Sequence, residues 1–426
     1  MSRAVRLSLL AVVATLMAPA PAGASSGPCI PDYAHGAQCH VWKGKVRYVD
    51  DGDTLDADVP GDGLGGLLRV RIIGVQAMEQ TSYRAAQRAG DCHALDATNR
   101  LEQLVKKSKG KIRVASLYPE SRSRGRRLRS IAVRRGGRWR DVGRILVSEG
   151  LGLWWPGQAE DATNARYSVL SQKAAAAHRG LFSSSSCGIG PNEGQPIGVW
   201  AQWDADGSDM DNVNGEYVKI RNYDPNNWLP LDGWYVRDSS LRRFTFPPGS
   251  AVAPNSSVTV YGGEGENGSG DYYWNLTRPV FDNATRDNPD VGDGAYLFDP
   301  QGDLRAWMIY PCKIACTNPA QGQIALDVQP RKDEWISITN TGGSMLDLEP
   351  YVLKTPPYSY AFPGGTVLGP GQTIRVHTEG DPAEDGATDR YWGMTGQILN
   401  NGGDVATLST YNDIQIACTA YGSKSC

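Results

Sequence analysis

A repeated segment in the second half of this 426-residue chain sets the strongest limit on its fold. The sequence EYVKIRN (216–222) recurs as EWISITN (334–340), and the two copies later end in KIAC and QIAC. Phe-Pro and Tyr-Trp pairs follow in the same order after each copy. Between them lie short strand-like runs and many Gly, Pro and Asn turns, with almost no helical periodicity. This pattern is typical of β-sandwiches, so we expect two of them in tandem.

The first half has a different composition. Residues 41–188 mix strand-like runs with helical patterns at 94–107, 141–150 and 165–180, which predicts a small α+β domain with a curled sheet and about three helices. They carry 26 Lys and Arg against 15 Asp and Glu, a net charge of +11. Residues 189–426 carry 15 against 30, a net charge of −15. A basic domain suits a polyanion such as nucleic acid, so we expect this partner for the first half only.

The N-terminus has the pattern of a secretory signal. A basic start is followed by an apolar run from Leu7 to Ala18 and by the small-x-small sequence that ends at Ala24. We expect cleavage after Ala24 and a secreted or cell-surface protein. No later segment approaches eighteen apolar residues, so no membrane span is expected.

The cysteines fit an oxidising destination. No CxxC pair or histidine cluster accompanies them, which argues against zinc. Spacing alone leaves all of the roughly 105 possible pairings of eight cysteines open. Closeness along the chain favours three pairs and leaves a fourth: Cys29–Cys39, Cys312–Cys316, Cys418–Cys426 and Cys92–Cys187.

Two neighbouring segments concentrate opposite charges. VRYVDDGDTLDADV (46–59) holds five aspartates, and RVRIIGVQAMEQ (69–80) supplies arginines and a lone glutamate. Clustered carboxylates need a cation, and guanidinium groups bind phosphate well. Phosphodiester hydrolysis further requires a base for water and charge stabilisation at phosphorus. Each of these features also has a purely structural explanation. DGDT fits an ordinary β-turn, Arg71 could be the partner in an ion pair, and Glu79 could be an acid on the surface.

The order DGDT, RVRIIGVQAME and SRGRRL resembles the staphylococcal nuclease-like (thermonuclease) family over residues 41–188. The resemblance implies an OB-type β-barrel with helices and a calcium-dependent endonuclease. It also implies a role for each residue. Asp53 binds calcium, with Asp51 as a supporting acid beside it. Arg71 binds the phosphate, Arg126 stabilises the negative charge that develops on it and on the leaving group, and Glu79 is the general base for the attacking water.

One position departs from this family pattern. Gln76 stands where the family has an aspartate, so a neutral amide replaces the second metal carboxylate. An amide oxygen still coordinates calcium, but fewer charges lower the affinity.

Nine arginines fall between 122 and 140, a density that suits salt-sensitive binding to phosphates without sequence preference. The residues we assign to nucleic-acid binding are Arg122, Arg124, Arg127 and Arg129.

The repeated half resembles lamin tail domains, which have an immunoglobulin-like β fold. The resemblance rests on NGEYVKIRN, LDGWYVRD, FTFPPG and GDGAYLFDPQGD in the first copy and is weaker in the second. It implies adhesion or spacing modules with a cell-surface or extracellular partner, which fold alone does not identify.

The sequence thus predicts a secreted, calcium-dependent nuclease that cuts DNA or RNA with little sequence preference. Two rivals stay open: a nuclease fold that only binds nucleic acid, and a structural surface protein that acts through its lamin-tail-like domains. The expected organisation is a signal peptide (1–24), a tether (25–40), the nuclease-like domain (41–188), a linker (189–195) and two lamin-tail-like domains (196–320 and 321–426).

Overall fold

The structure is a computed structural model, and it describes residues 23–33, 36–84, 86–157, 160–268, 270–284 and 290–426. The predicted signal peptide lies outside the described residues except for its last two positions.

The N-terminal half consists of short strands and three helices in its described part. Its strands are β1 (Ser25–Pro28), β2 (Gln38–Val49), β3 (Thr54–Asp58), β4 (Leu68–Ile72), β5 (Val75–Gln76), β6 (Gln80–Ser82), β7 (Ala89–Gly90), β8 (Lys111–Ser116), β9 (Arg122–Ser123), β10 (Arg126–Arg135), β11 (Arg138–Asp141) and β12 (Leu153–Trp154). Its helices are α1 (Ala94–Lys107), α2 (Val142–Ser148) and α3 (Asn164–Ala176).

Five of these strands close into a barrel. β2 pairs with β3, β3 with β4, β4 with β10, β10 with β8, and β8 returns to β2. The β4–β10 pair is parallel and the others are antiparallel. Alternate strand residues such as Leu55, Val70 and Val114 fill the interior, and the helices add Leu101 and Leu146 to the same core. The predicted α+β domain with three helices is therefore confirmed.

The segment 25–40 differs from the tether that its composition predicts. β1 pairs with the beginning of β2, and the Cys29–Cys39 disulfide joins the two strands at their turn. Arg113 of β8 donates hydrogen bonds to the carbonyl groups of Pro28 and Cys29. Backbone pairing and a disulfide hold this segment against the barrel, which Pro, Gly and Ser content alone does not reveal.

The C-terminal half is mostly β. Its first set of strands is β13 (Ile197–Gln202), β14 (Tyr217–Asn222), β15 (Leu229–Pro230), β16 (Tyr235–Arg237), β17 (Arg243–Thr245), β18 (Ala251–Val252), β19 (Ser257–Tyr261), β20 (Asp271–Tyr273), β21 (Asp293–Phe298) and β22 (Leu304–Tyr310). Its second set is β23 (Ile324–Gln329), β24 (Trp335–Asn340), β25 (Leu346–Asp347), β26 (Tyr351–Thr355), β27 (Tyr358–Ala361), β28 (Val367–Leu368), β29 (Thr373–Glu379), β30 (Asp389–Met394), β31 (Val405–Thr410) and β32 (Gln415–Ala420).

The two sets have the same sheet topology. The first has sheets β13-β14-β19-β20 and β17-β16-β21-β22 with a β15–β18 pair, and the second has β23-β24-β29-β30 and β27-β26-β31-β32 with a β25–β28 pair. Each set encloses an apolar core, with Trp234 and Phe246 in the first and Phe362 in the second. The predicted tandem repeat is confirmed strand by strand.

The barrel and the first β domain pack directly against each other. Phe298 and Leu304 belong to the same apolar cluster as the barrel core, and Phe182 stacks edge-on against Trp307 at 5.3 Å. The side-chain amide of Gln172 on α3 bonds to the backbone at Pro311 and Lys313. The first β domain therefore lies against the barrel.

All eight cysteines are paired, and the four disulfides are the ones that closeness along the chain favours. Cys92–Cys187 spans 95 residues and connects the turn just before α1 to the segment that leads into the first β domain. A disulfide that closes a loop of this length strongly reduces the conformational entropy of the unfolded chain, which stabilises the folded state.

The glutamate that opens each sequence repeat has a structural role. Glu216 accepts hydrogen bonds at Oε2 from the backbone N–H groups of Val280 (2.6 Å) and Phe281 (3.3 Å). Glu334 does the same for Ile398 (3.0 Å) and Leu399 (3.3 Å). Each carboxyl is buried and holds the loop before the penultimate strand of its domain.

Glu216 should make stability depend on pH. Burial raises the pKa of its carboxyl from 4.5 to about 8, outweighing the hydrogen bonds that lower it. Because the native pKa is raised, the stabilisation is complete below the unfolded pKa and is lost as pH rises through about 8. We expect the thermal midpoint to fall by several degrees between about pH 5 and pH 9, and to fall less in Glu216→Gln. Equal falls for both proteins, measured by circular dichroism, would contradict this assignment.

Candidate active site

The pairing of β3 with β4 brings the two predicted key residues together. Thr54 lies opposite Arg71 in the register, so Asp53, just before β3, lies beside the Arg71 side chain. The two side chains form an ion pair, and each residue is only 2% exposed. The second oxygen of Asp53 accepts a hydrogen bond from the backbone N–H of Ala77 at 2.8 Å. Residues from the two segments, Asp53 and Arg71, are therefore in direct contact.

Gly52 is required at its position by close packing. A Cβ built on Gly52 would lie 2.8 Å from the Cβ of Ala77 and closer still to that of Ala97 on α1. A side chain here would push the turn away from the loop that carries Ala77. The glycine of DGDT thus holds Asp53 against this loop.

Arg71 is a buried cation with several partners. Beyond Asp53, it donates to Oε1 of Gln76, and its guanidinium lies 5.4 Å from the ring centre of Trp155. Its Nε atom has no described hydrogen-bond partner. Burial, with the nearby charge of Arg126, lowers the pKa of Arg71 to about 9, so it is charged at neutral pH.

Gln76 connects Arg71 to Glu79. The pairing of β5 with β12 places Gln76 opposite Leu153, and its Nε2 donates to Oε1 of Glu79 at 2.9 Å and to the Ala77 carbonyl at 2.9 Å. Its amide oxygen faces Arg71 and its amide nitrogen faces Glu79. Glu79 is half-buried, whereas Arg71 and Gln76 are fully buried.

Asp51 and Arg126 complete the group. Asp51 accepts a hydrogen bond from the backbone N–H of Asp53 at 3.0 Å, and burial raises the pKa of Asp51 although Arg71 and Arg126 oppose the shift. Arg126 begins β10, which runs parallel to β4, and it donates to Thr54 Oγ1 at 2.9 Å. Thr54 Oγ1 also donates to Asp53 at 3.0 Å. All five residues assigned by the resemblance, together with Gln76, thus lie in one connected set.

The arginines of the SRSRGRRLR segment divide into two groups. Arg122 and Arg124 are exposed. Arg127 and Arg129 are buried, and both donate to the carbonyl of Pro119. Their side chains hold the loop before β9 and do not face solvent, so of the four residues assigned to nucleic acid only the first two are on the surface.

The remaining aspartates of the acidic stretch are partly compensated by local pairing. Arg69 lies 3.1 Å from Asp50, and Arg47 lies 2.9 Å from Asp58. These arginine charges on β2 and β4 offset part of the repulsion between aspartates that the sequence suggests.

The structure adds three residues that the sequence did not single out. Thr54 joins Asp53 to Arg126, and Trp155 covers the guanidinium of Arg71. Arg237, on β16 of the first β domain, is buried and reaches Sδ of Met78 at 3.7 Å, next to Glu79. Thr54 lies in the DGDT motif. A contact between residues far apart in the sequence leaves no local signal for Arg237.

The donor atoms of the site suit a hard cation by type. The carboxylates of Asp51 and Asp53 and the amide oxygen of Gln76 are oxygen ligands of the kind that calcium takes. Both Asp53 oxygens and the Gln76 oxygen already have protein partners, however, and Arg71 engages both side chains. A cation here must share these oxygens with Arg71.

The one compact group of His, Cys and acidic ligand atoms in the described part is Cys92, His93 and Cys187, whose cysteines are joined in a disulfide.

The comparison with protein families decides the identity of the second half. The family model of the Lamin Tail Domain matches residues 201–311 and 319–423, together just over half of the chain. The chain belongs to the lamin tail domain family. The matched ranges contain β14 to β22 and β23 to β32, so each lamin tail domain corresponds to one of the two repeated β domains. The match does not extend over the barrel.

No curated protein matches this chain. Within the described ranges, every helix is too short or too polar to cross a membrane.

Proposed function

We propose that the protein is a secreted nuclease that uses calcium to hydrolyse phosphodiester bonds of DNA or RNA with little sequence preference. One observation carries this proposal. A half-buried carboxylate, Glu79, and a partly exposed guanidinium, Arg126, lie at the two ends of one network through Gln76, Arg71, Asp53 and Thr54.

Each residue has a chemical task in this proposal. Glu79 accepts a proton from the attacking water as the new P–O bond forms, and general bases of this kind contribute roughly 10²- to 10⁴-fold to rate. Arg126 donates to the phosphate oxygens, whose negative charge grows as the ester P–O bond breaks and the leaving oxygen departs. Arg71 adds positive charge at the same place and holds Gln76, which in turn orients Glu79.

Calcium is the cofactor we propose, and when bound it adds positive charge beside the phosphate. Asp51, Asp53 and Gln76 are the residues that would hold it. Because Arg71 engages two of these three side chains, we expect weak affinity and occupancy only at high calcium concentration. Millimolar affinities are ordinary for extracellular calcium modules.

The replacement Gln76→Asp should strengthen calcium binding. It adds a formal negative charge near the cation and removes a neutral amide, which at moderate screening is worth about 1.4 kcal/mol or more. We expect the calcium concentration for half-maximal cleavage to fall about tenfold. Gln76→Asn, which keeps a neutral amide at the shorter length, is the matched control. If Gln76→Asp and wild type have the same midpoint in a calcium titration, Gln76 does not contact the ion.

Secretion is part of the same proposal. The four disulfides suit an oxidising compartment, and the N-terminal sequence has the pattern of a cleaved signal. Incubation of the mature protein with plasmid DNA and with RNA, followed by sequencing of the product ends, tests both the substrate range and the low sequence preference.

A second candidate function is binding of nucleic acid without cleavage. The ion pair between Asp53 and Arg71 favours it, because each residue satisfies the charge of the other in the absence of a cation or a phosphate. Retention of labelled DNA with no product under any divalent cation would identify this function.

A further inference from the structure

A cavity of about 520 Å³ lies between the barrel and the first lamin tail domain. The barrel contributes Trp155, Leu128 and Arg122 to its wall, and the lamin tail domain contributes Arg242, Arg278 and Phe281. We call this space the interdomain cleft. Its volume is that of a site for a small molecule or a single nucleotide.

The interdomain cleft adjoins the candidate active site. Trp155 lines the cleft and also lies over the guanidinium of Arg71. Ile73 and Gly74, which follow Arg71 shortly in the chain, line the cleft as well. If the scissile phosphate of a nucleic acid is held near Arg71 and Arg126, the next nucleotide along the strand can therefore occupy the interdomain cleft.

The exposed charges of the cleft are positive. Arg122, Arg242 and Arg278 are exposed. Arg242 is held beside Arg278 by a 2.6 Å hydrogen bond to the Pro279 carbonyl, and this bond leaves most of the five N–H donors of its guanidinium available.

The acids of the cleft are mostly buried and bonded within the protein. Glu160 accepts hydrogen bonds from the backbone of Leu117 (2.8 Å) and Tyr118 (2.9 Å) and from the Ser121 hydroxyl (2.7 Å). Asp238 accepts from Ser240, and burial raises its pKa to about 6. Burial also raises the pKa of Asp293, which favours its neutral form. Asp282 is half-buried. The rim that a ligand meets first is therefore cationic.

We infer that the interdomain cleft binds a single-stranded polynucleotide beside the scissile phosphate, and that Arg242 and Arg278 of the lamin tail domain hold its backbone phosphates. This inference rests on the proposed function for the position of the scissile phosphate. A guanidinium binds phosphate through paired N–H donors, and the apolar walls at Trp155 and Phe281 suit an unpaired base. A double helix is too wide for a cleft of this volume, so the inference also names single strands as the preferred substrate class.

The test measures binding separately from cleavage. The full mature chain is titrated into a short fluorescein-labelled oligothymidylate in EDTA, with fluorescence anisotropy as the readout and several salt concentrations. The test variant is Arg242→Ala/Arg278→Ala. The control is Arg243→Ala, which removes one positive charge from the exposed residue next to Arg242. Its guanidinium lies over Tyr235 at 5.2 Å and not in the cleft.

We expect the double variant to bind about tenfold more weakly or worse. The slope of log affinity against log salt concentration should become shallower by about 1.4, since each phosphate contact on a single strand contributes about 0.7. Arg243→Ala should change binding by less than about twofold. A labelled hairpin duplex should bind wild type more weakly than the single strand. Wild-type affinity in the double variant, or an equal loss in Arg243→Ala, would overturn the inference.

The proposed function can fail independently. If the double variant loses binding as expected but no form of the protein cleaves nucleic acid, the cleft assignment stands and the nuclease proposal fails. If wild type cleaves and the double variant binds and cleaves like wild type, the cleft assignment fails alone.

Discussion

Glu79→Gln is expected to lower the rate of DNA cleavage about 10²- to 10⁴-fold. Glutamine has nearly the same shape, and its side-chain oxygen can still accept the hydrogen bond that Gln76 donates at 2.9 Å. It cannot take a proton from water at neutral pH, so the base is lost while the local packing is kept. Single-turnover cleavage of a labelled oligonucleotide measures the effect.

The control for this variant is Glu193→Gln, at an exposed position in the segment between the barrel and the first lamin tail domain. It should cleave at the wild-type rate and melt at the wild-type temperature. An unchanged rate in Glu79→Gln would remove Glu79 from the role of general base, and a loss of folding in that variant would show as a lowered melting temperature.

Arg71→Met is expected to affect both stability and activity. It leaves Asp53 buried without its cationic partner, and breaking a buried ion pair of this kind typically costs about 3–5 kcal/mol of unfolding free energy. It also removes a positive charge from the candidate site, so cleavage should be lost. Urea unfolding followed by tryptophan fluorescence, with Trp155 beside the mutated position, measures the first effect.

A second substitution separates the two effects. In Arg71→Met/Asp53→Asn the buried carboxylate is gone, so much of the lost stability should return. Cleavage should stay absent because the guanidinium is still missing. If the double variant is as unstable as Arg71→Met, the ion pair is not the source of the loss. If Arg71→Met keeps wild-type cleavage, Arg71 is outside the reaction site.

The sequence predicted the C-terminal half well because its signals are local and occur twice. EYVKIRN and EWISITN each form the second strand of a domain, and the glutamate before each strand caps the corresponding loop. The helices of the barrel were predicted for the same reason, since apolar spacing over 94–107 is a local property. The disulfides followed from closeness along the chain.

The sequence grouped the candidate site residues but did not predict the contacts between them. Sequence order placed Asp53, Arg71 and Gln76 in one site, yet it gave no sign that the amide oxygen of Gln76 faces Arg71. The alternation of strand residues did not identify Arg127 and Arg129 as buried, because β10 has barrel partners on both edges and its arginines reach the Pro119 carbonyl. These outcomes depend on side-chain direction in the folded barrel.

Contacts between domains could not be predicted from sequence patterns. Arg237 and Met78 are 159 positions apart, and neither residue type indicates the other. Residues 25–40 were expected to be a tether, but part of this segment forms β1, which pairs with β2. Composition did not indicate this pairing because it depends on the register of the two strands. The first lamin tail domain, expected from sequence to be an adhesion or spacing module, contacts Met78, next to Glu79, through Arg237.

The most direct test of the central claim is the rate at which the mature wild-type protein cuts a single-stranded oligonucleotide in millimolar calcium and in EDTA, with Glu79→Gln purified in parallel. The nuclease proposal predicts cutting by wild type in calcium, none in EDTA, and a rate for Glu79→Gln lower by about 10²-fold or more. Equal cutting by wild type and Glu79→Gln, or no cutting by wild type with any divalent cation, would contradict it.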